Sequence, residues 1–67
     1  MKKYAVGYIN FFDNDLIIEI IDGLDWLDAL KKHSKLSGGF YFPETSLVDA
    51  KIEAFNADMM IDVKEIN

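Results

Sequence analysis

Residues 3–22 read KYAVGYINFFDNDLIIEIID. Tyr, Val, Ile and Phe dominate both ends, and such residues suit a pleated, half-buried surface. The centre, Asp13-Asn14-Asp15, is turn chemistry, because Asn and Asp tolerate positive φ. The stretch predicts a β-hairpin: a strand over Lys3–Phe12, a tight turn at Asp13-Asn14-Asp15, and a strand over Leu16–Ile21. With a two-residue loop, Phe12 faces Asp15 and Phe11 faces Leu16. Ala5, Gly7, Ile9 and Phe11 then share a side with Leu16, Ile18 and Ile20. That side is wholly apolar, so it is expected to be the core, with small Ala5 and Gly7 admitting a helix. The other side carries Tyr4, Val6, Tyr8, Asn10, Phe12, Asp15, Ile17, Glu19 and Ile21. It alternates to polar only in part, where a solvated face should do so fully.

Downstream, Asp22-Gly23 closes the second strand, and Asp22 or Asp25 can cap a helix expected over Leu24–Lys35. Its wheel puts Trp26, Leu27, Ala29, Leu30, His33 and Ser34 opposite Asp25, Asp28, Lys31, Lys32 and Lys35. Acids come early and lysines late, as the helix dipole favours. Ser37-Gly38-Gly39 breaks the helix, and the aromatic run Phe40-Tyr41-Phe42-Pro43 follows as a loop, a short extended segment or a binding tip. Glu44-Thr45-Ser46 reads as a second helix start, with Leu47, Val48, Ile52, Ala54 and Phe55 as its apolar stripe. Lys51 lies inside that stripe and is expected to snorkel. Asn56-Ala57-Asp58 is a turn. Met59, Ile61 and Val63 then alternate with Met60, Asp62 and Lys64 in a last strand over Met59–Ile66 with one buried face. The expected fold is a single α+β domain over residues 1–67. It has a three-stranded, mainly antiparallel sheet, the last strand beside the first, and one or two helices on one face.

A chain of 67 residues without Cys has no disulfide or thiolate metal site to stiffen it. Association with itself or a partner is the remaining source of stability. The net charge is −5, and the seven basic residues are all Lys. Phosphate affinity comes from cation clusters and Arg forks, so nucleic acid is a poor partner and a basic protein surface a better one. No run reaches the ~20 apolar residues of a membrane span. MKKYAVGYINFF has the outline of a secretory leader, but Asn10 interrupts it and no small-residue cleavage site follows. A cytoplasmic location is expected.

No catalytic or cofactor motif emerges. His33 is the lone histidine and, without Cys, makes no typical zinc site. Ser34, Ser37 and Ser46 carry no nucleophile signature. Asp13-Asn14-Asp15 opens like a calcium loop but lacks its glycine and terminal Glu. Asp22, Asp25 and Asp28 recur every third residue, which suggests either helix caps or a row of carboxylates imitating DNA phosphates. The alternating Tyr4, Tyr8 and Phe12, with Ile17 and Glu19, form an apolar patch with a polar rim, the mark of a protein interface. Those residues, with Phe40, Tyr41 and Phe42, are the expected partner-binding set. Tyr8→Asp is accordingly expected to spare the fold and Ile18→Asp to destroy it.

Phe11-Phe12-Asp13-Asn14-Asp15, the apolar strand after it and the helical Asp25-Trp26 resemble the small early proteins of tailed phages that inhibit host defence, of the Dmd-like antitoxin or anti-restriction type. The likeness spans roughly the first 35 residues and the closing strand. In this chain SGGFYFPE interrupts what is one longer helix in that family. The resemblance implies a class of short, acidic, Cys-free proteins that bind and disable a host enzyme. The expected function is a non-enzymatic inhibitor without a cofactor that occupies the surface of a host defence or toxin protein, and the edge strands of so small a sheet lead to the expectation of a homodimer. A DNA-mimic inhibitor and a small subunit of a larger assembly are the alternatives.

Overall fold

The computed structural model describes residues 1–37 and 46–66. Its elements run β1 (Lys2–Asn10), β2 (Leu16–Gly23), α1 (Trp26–Lys32), α2 (Leu47–Asn56) and β3 (Met59–Ile66). The three strands form one antiparallel sheet in the order β2-β1-β3, the α+β fold expected from the sequence. Phe40, Tyr41 and Phe42 lie outside the described residues.

The hairpin pairs differently from expectation. Ile9, not Phe11, stands opposite Leu16. Asn10 is the reason: its side-chain oxygen accepts from the Phe12 N–H at 2.8 Å, and its carbonyl accepts from the Asn14 N–H at 2.8 Å. These bonds offer the backbone an alternative to the ladder and draw Phe11 and Phe12 out of β1. Asn14 takes the positive φ, at 57°. The shift is by two residues, so the side-chain parity survives, and Ala5, Gly7 and Ile9 do share a face with Leu16, Ile18 and Ile20.

That face is not the core. Both helices lie on the opposite side, over Tyr4, Val6 and Tyr8, which are buried together with Met59, Ile61 and Val63. β3 selects the side. Its alternation leaves Asp62 and Lys64 outside, and the register sets these opposite Gly7 and Ala5, while Val63 and Ile61 stand opposite Val6 and Tyr8. The small residues of β1 thus lie on the open face. The close approach occurs at Gly23, where a Cβ would stand 3.0 Å from the Ala29 nitrogen.

α1 starts with a reciprocal cap. The Asp28 N–H donates to Asp25 Oδ1 at 2.8 Å, and Asp28 Oδ2 accepts from the Leu24 N–H at 2.9 Å. The arrangement is a variant of the capping box, with Asp in the place of Glu and the return bond taken from Leu24, the residue before the cap. The helix ends earlier than expected, at Lys32, because His33 leaves helical geometry (φ −61°, ψ 137°). Its ring is then fully buried, 5.8 Å from the ring of Tyr8.

α2 is capped by Ser46, whose Oγ accepts from the Asp49 N–H at 3.1 Å. It rests on the sheet through Ala50 and Ala54, both fully buried. Most of the expected stripe faces outward instead. Val48, Ile52 and Phe55, spaced i, i+4, i+7 along one side, are 65, 54 and 62% exposed. Asp58, at φ 61°, makes the short link into β3.

Candidate functional site

Among the described residues, no helix covers the second side of the sheet. Its rows follow from the register: Leu16, Ile9 and Met60; then Ile18, Gly7 and Asp62; then Ile20, Ala5 and Lys64. Leu16, Ile18 and Ile20 are 63, 62 and 60% exposed, and Met60 is also exposed. β2 therefore presents a continuous branched-aliphatic column to solvent, where an ordinary antiparallel sheet turns polar. Exposed apolar patches of this kind mark interaction sites.

Gly7 gives the face its relief. Without a side chain between Ile18 and Asp62, the centre forms a trough of about 370 Å³ bordered by Ile9, Leu16, Ile18 and Met60. A Cβ at Gly7 would meet the Asp62 carbonyl and Ile18 Cγ1 at 4.0 Å, ordinary contact distances. Packing within the chain does not require a glycine there, which sets it apart from Gly23.

The expected partner-binding residues are dispersed by the fold. Tyr4 and Tyr8 are buried beneath the helices and cannot meet a partner while the chain is folded. The Tyr8 ring lies 5.8 Å from the His33 ring. Ile17 packs against the core from the same side. Phe12 is exposed, at the hairpin turn. Leu16, Ile18 and Ile20, expected in the core, occupy the open face in place of the tyrosines. The signal that distinguishes the two sides was present in β3, whose Asp62 and Lys64 belong outside.

Glu19 has a structural task. Its carboxylate accepts from the Ser34 hydroxyl and, at 3.1 Å, from the Ser34 N–H, tying β2 to the turn after α1. These two bonds, the hydroxyl first and the backbone N–H second, hold its pKa below the ordinary carboxylate value. Asp28 is lowered in the same direction, first by the Leu24 N–H and then by Lys32, whose Nζ lies 3.0 Å away. A carboxyl whose folded pKa is depressed adds stability above its unfolded pKa and loses it as pH falls through the folded one. The urea midpoint should therefore decline as pH drops below roughly 4. Glu19→Gln should lower the midpoint at neutral pH and flatten that acid decline. An unchanged acid slope in the variant would show that the Ser34 bonds contribute nothing to it.

The groups weighed for chemistry are occupied. His33 is fully buried, with Nε2 3.2 Å from the Ile17 carbonyl and Nδ1 3.2 Å from the Lys35 nitrogen. The Lys35 N–H can only donate, so Nδ1 accepts and Nε2 carries the hydrogen toward Ile17. Asp25 and Asp28, two members of the carboxylate row, cap α1. Among the described residues no group of three His, Cys, Asp or Glu side chains gathers to hold a metal ion, and no helix is long and apolar enough to cross a membrane.

No protein-family model, curated protein or solved structure matches the chain.

Proposed function

We propose that the chain is a non-enzymatic binding protein that lays the uncovered side of its sheet on another protein and masks the surface beneath. The observation that carries this reading is the exposed Leu16–Ile18–Ile20 column beside the Gly7 trough. An aliphatic face with a central hollow accepts an apolar ridge, and burying it would supply about 25 cal/mol per Å² before the costs of association. The partner's surface is apolar with a basic rim. Asp13 and Asp15 lie in the turn that leads into Leu16, Asp62 borders the trough, and the whole chain carries −5. Charges so placed speed encounter and orient docking more than they add affinity. A host defence or toxin protein, the target implied by the phage-protein resemblance, is the proposed identity of that partner, and inhibition by occlusion the proposed outcome.

The test is affinity capture with immobilised wild-type protein, Ile18→Asp and Gly7→Val. Wild type should retain one unrelated protein, and retention should survive raised salt, because screening weakens charge contacts and leaves apolar ones. Ile18→Asp should reduce capture roughly tenfold or more, a loss of at least about 1.4 kcal/mol. Gly7→Val, which fills the trough, should do the same. A partner held equally by all three proteins, or released steeply by salt, would overturn the reading, the second result favouring phosphate mimicry.

A further inference from the structure

We propose that a second copy of this chain pairs with the free edge of β3, antiparallel and about a two-fold axis at Val63, so that one sheet runs through both molecules. Among the described residues, β3 lies at the margin of the sheet, with β1 on one side only. Bonded and non-bonded pairs alternate along an antiparallel ladder. The Phe11 N–H donates to the Asp58 carbonyl at 3.0 Å, which sets the phase. Met60, Asp62 and Lys64 therefore turn their backbone groups toward β1, and Ile61, Val63 and Glu65 turn theirs outward. The Val63 N–H meets the Asp62 carboxylate at 2.9 Å, a side-chain oxygen standing where a neighbouring strand's carbonyl would be. Unpaired edges of this kind are templates for another strand.

The side chains select both the occupant and the register. Residues of like parity must pair, or each strand would turn its apolar side to solvent. An axis at Asp62 sets two carboxylates against each other, and an axis at Lys64 sets two ammonium groups together. An axis at Ile61 puts Met60 against the partner's Asp62 and leaves the charges unmatched. The axis at Val63 places Asp62 opposite the partner's Lys64, twice by symmetry, and Met60 opposite the partner's Ile66. Opposite charges across strands stabilise, and like charges do the reverse. Lys51 now reaches Asp62 at 3.3 Å. The side chains are 45 and 69% exposed, so exchanging that pair for an intermolecular one costs little.

The outward stripe of α2 flanks the same edge. Val48, Ile52 and Phe55, with Met60 and Ile61, line a groove of about 350 Å³. A two-fold axis perpendicular to the sheet keeps both α2 helices on one side and sets their stripes against each other. Such an isologous contact buries the stripe that Ala50 and Ala54 leave outside. The dimer does not rest on the proposed function: its backbone pairing uses the edge and its helix contact uses α2, and of the open face it engages the β3 side chains alone, leaving the Leu16–Ile18–Ile20 column free.

Sedimentation equilibrium of the purified chain should give twice the 7.7 kDa chain mass. Ile52→Glu and Glu65→Pro should each weaken association roughly tenfold or more with the far-UV circular dichroism unchanged. The first changes an exposed side chain; the second removes an outward N–H that the β1 ladder does not use. Asp62→Lys and Lys64→Asp should each weaken the dimer, and the double reversal should restore it. Ile18→Asp should leave it intact. A monomer at all accessible concentrations, a dimer indifferent to Ile52→Glu and Glu65→Pro, or a double reversal no tighter than the singles would overturn the proposal.

Discussion

Tyr8→Asp should abolish the fold, while Ile18→Asp should leave it standing. Tyr8 is only 8% exposed, paired with Ile61 on one side and Ile17 on the other, with His33 above it. Asp there forfeits the burial of an aromatic ring, about 3–5 kcal/mol. It also puts a carboxylate among apolar side chains, which costs several kcal/mol more unless the group neutralises. A domain of this length commands roughly 3–10 kcal/mol in all, at about 0.05–0.15 per residue. The variant should lose its far-UV signal and show no native baseline in urea. Ile18 lies on the open face, so Asp there loses little burial. The cost is β-propensity, at most about 1 kcal/mol. Asp62 lies in the same row, with Gly7 between them, so added repulsion is weak. The urea midpoint should move only slightly. Ile18→Asp unfolding while Tyr8→Asp remains native would mean that the helices cover the other side of the sheet.

This contrast reverses the outcome expected from the hairpin alone. Leu16–Ile21 is aliphatic on both sides except for Glu19, so periodicity in β2 cannot tell inside from outside. The all-apolar side looked like the core, but the actual core side carries Glu19 because Glu19 binds Ser34. Parity was legible and polarity was not. β3 held the missing information: its charges sit on one side only, and its bounds agree with the sequence expectation. That information reaches β1 only through a long-range register, which no local pattern encodes. The same limit applies to α2. Its apolar residues are real, yet Ala50 and Ala54, too small to stand out on a hydropathy wheel, seat it on the sheet. The caps were legible in part, because such residues act within three residues of themselves: Asp25 was one of two candidates and Ser46 one of three residues at the expected helix start. The shortening of α1 was not legible, since it depends on where the His33 ring finds room.

His33→Ala should be among the most damaging neutral substitutions in the chain. The ring is fully buried and touches three parts of the fold at once: the Ile17 carbonyl of β2, the Lys35 N–H of the turn and the Tyr8 ring of β1. It also ends α1, because its backbone must leave the helix for the ring to turn inward. Truncation removes the ring's packing and leaves a void against Tyr8, which α1, held at its other end by the Asp25 cap, cannot close. Together with the lost bonds this should cost about 2–4 kcal/mol, a large share of the total. His33→Gln separates the contributions. Its amide N–H can still donate toward Ile17, but a flexible chain does not replace the planar ring or its Nδ1 acceptor. Its urea midpoint should fall between those of wild type and His33→Ala. If Gln is no better than Ala, the Ile17 bond is idle and the ring acts by shape alone. If Ala is as stable as wild type, α1 is held to the sheet by Ala29 and Leu30 without it.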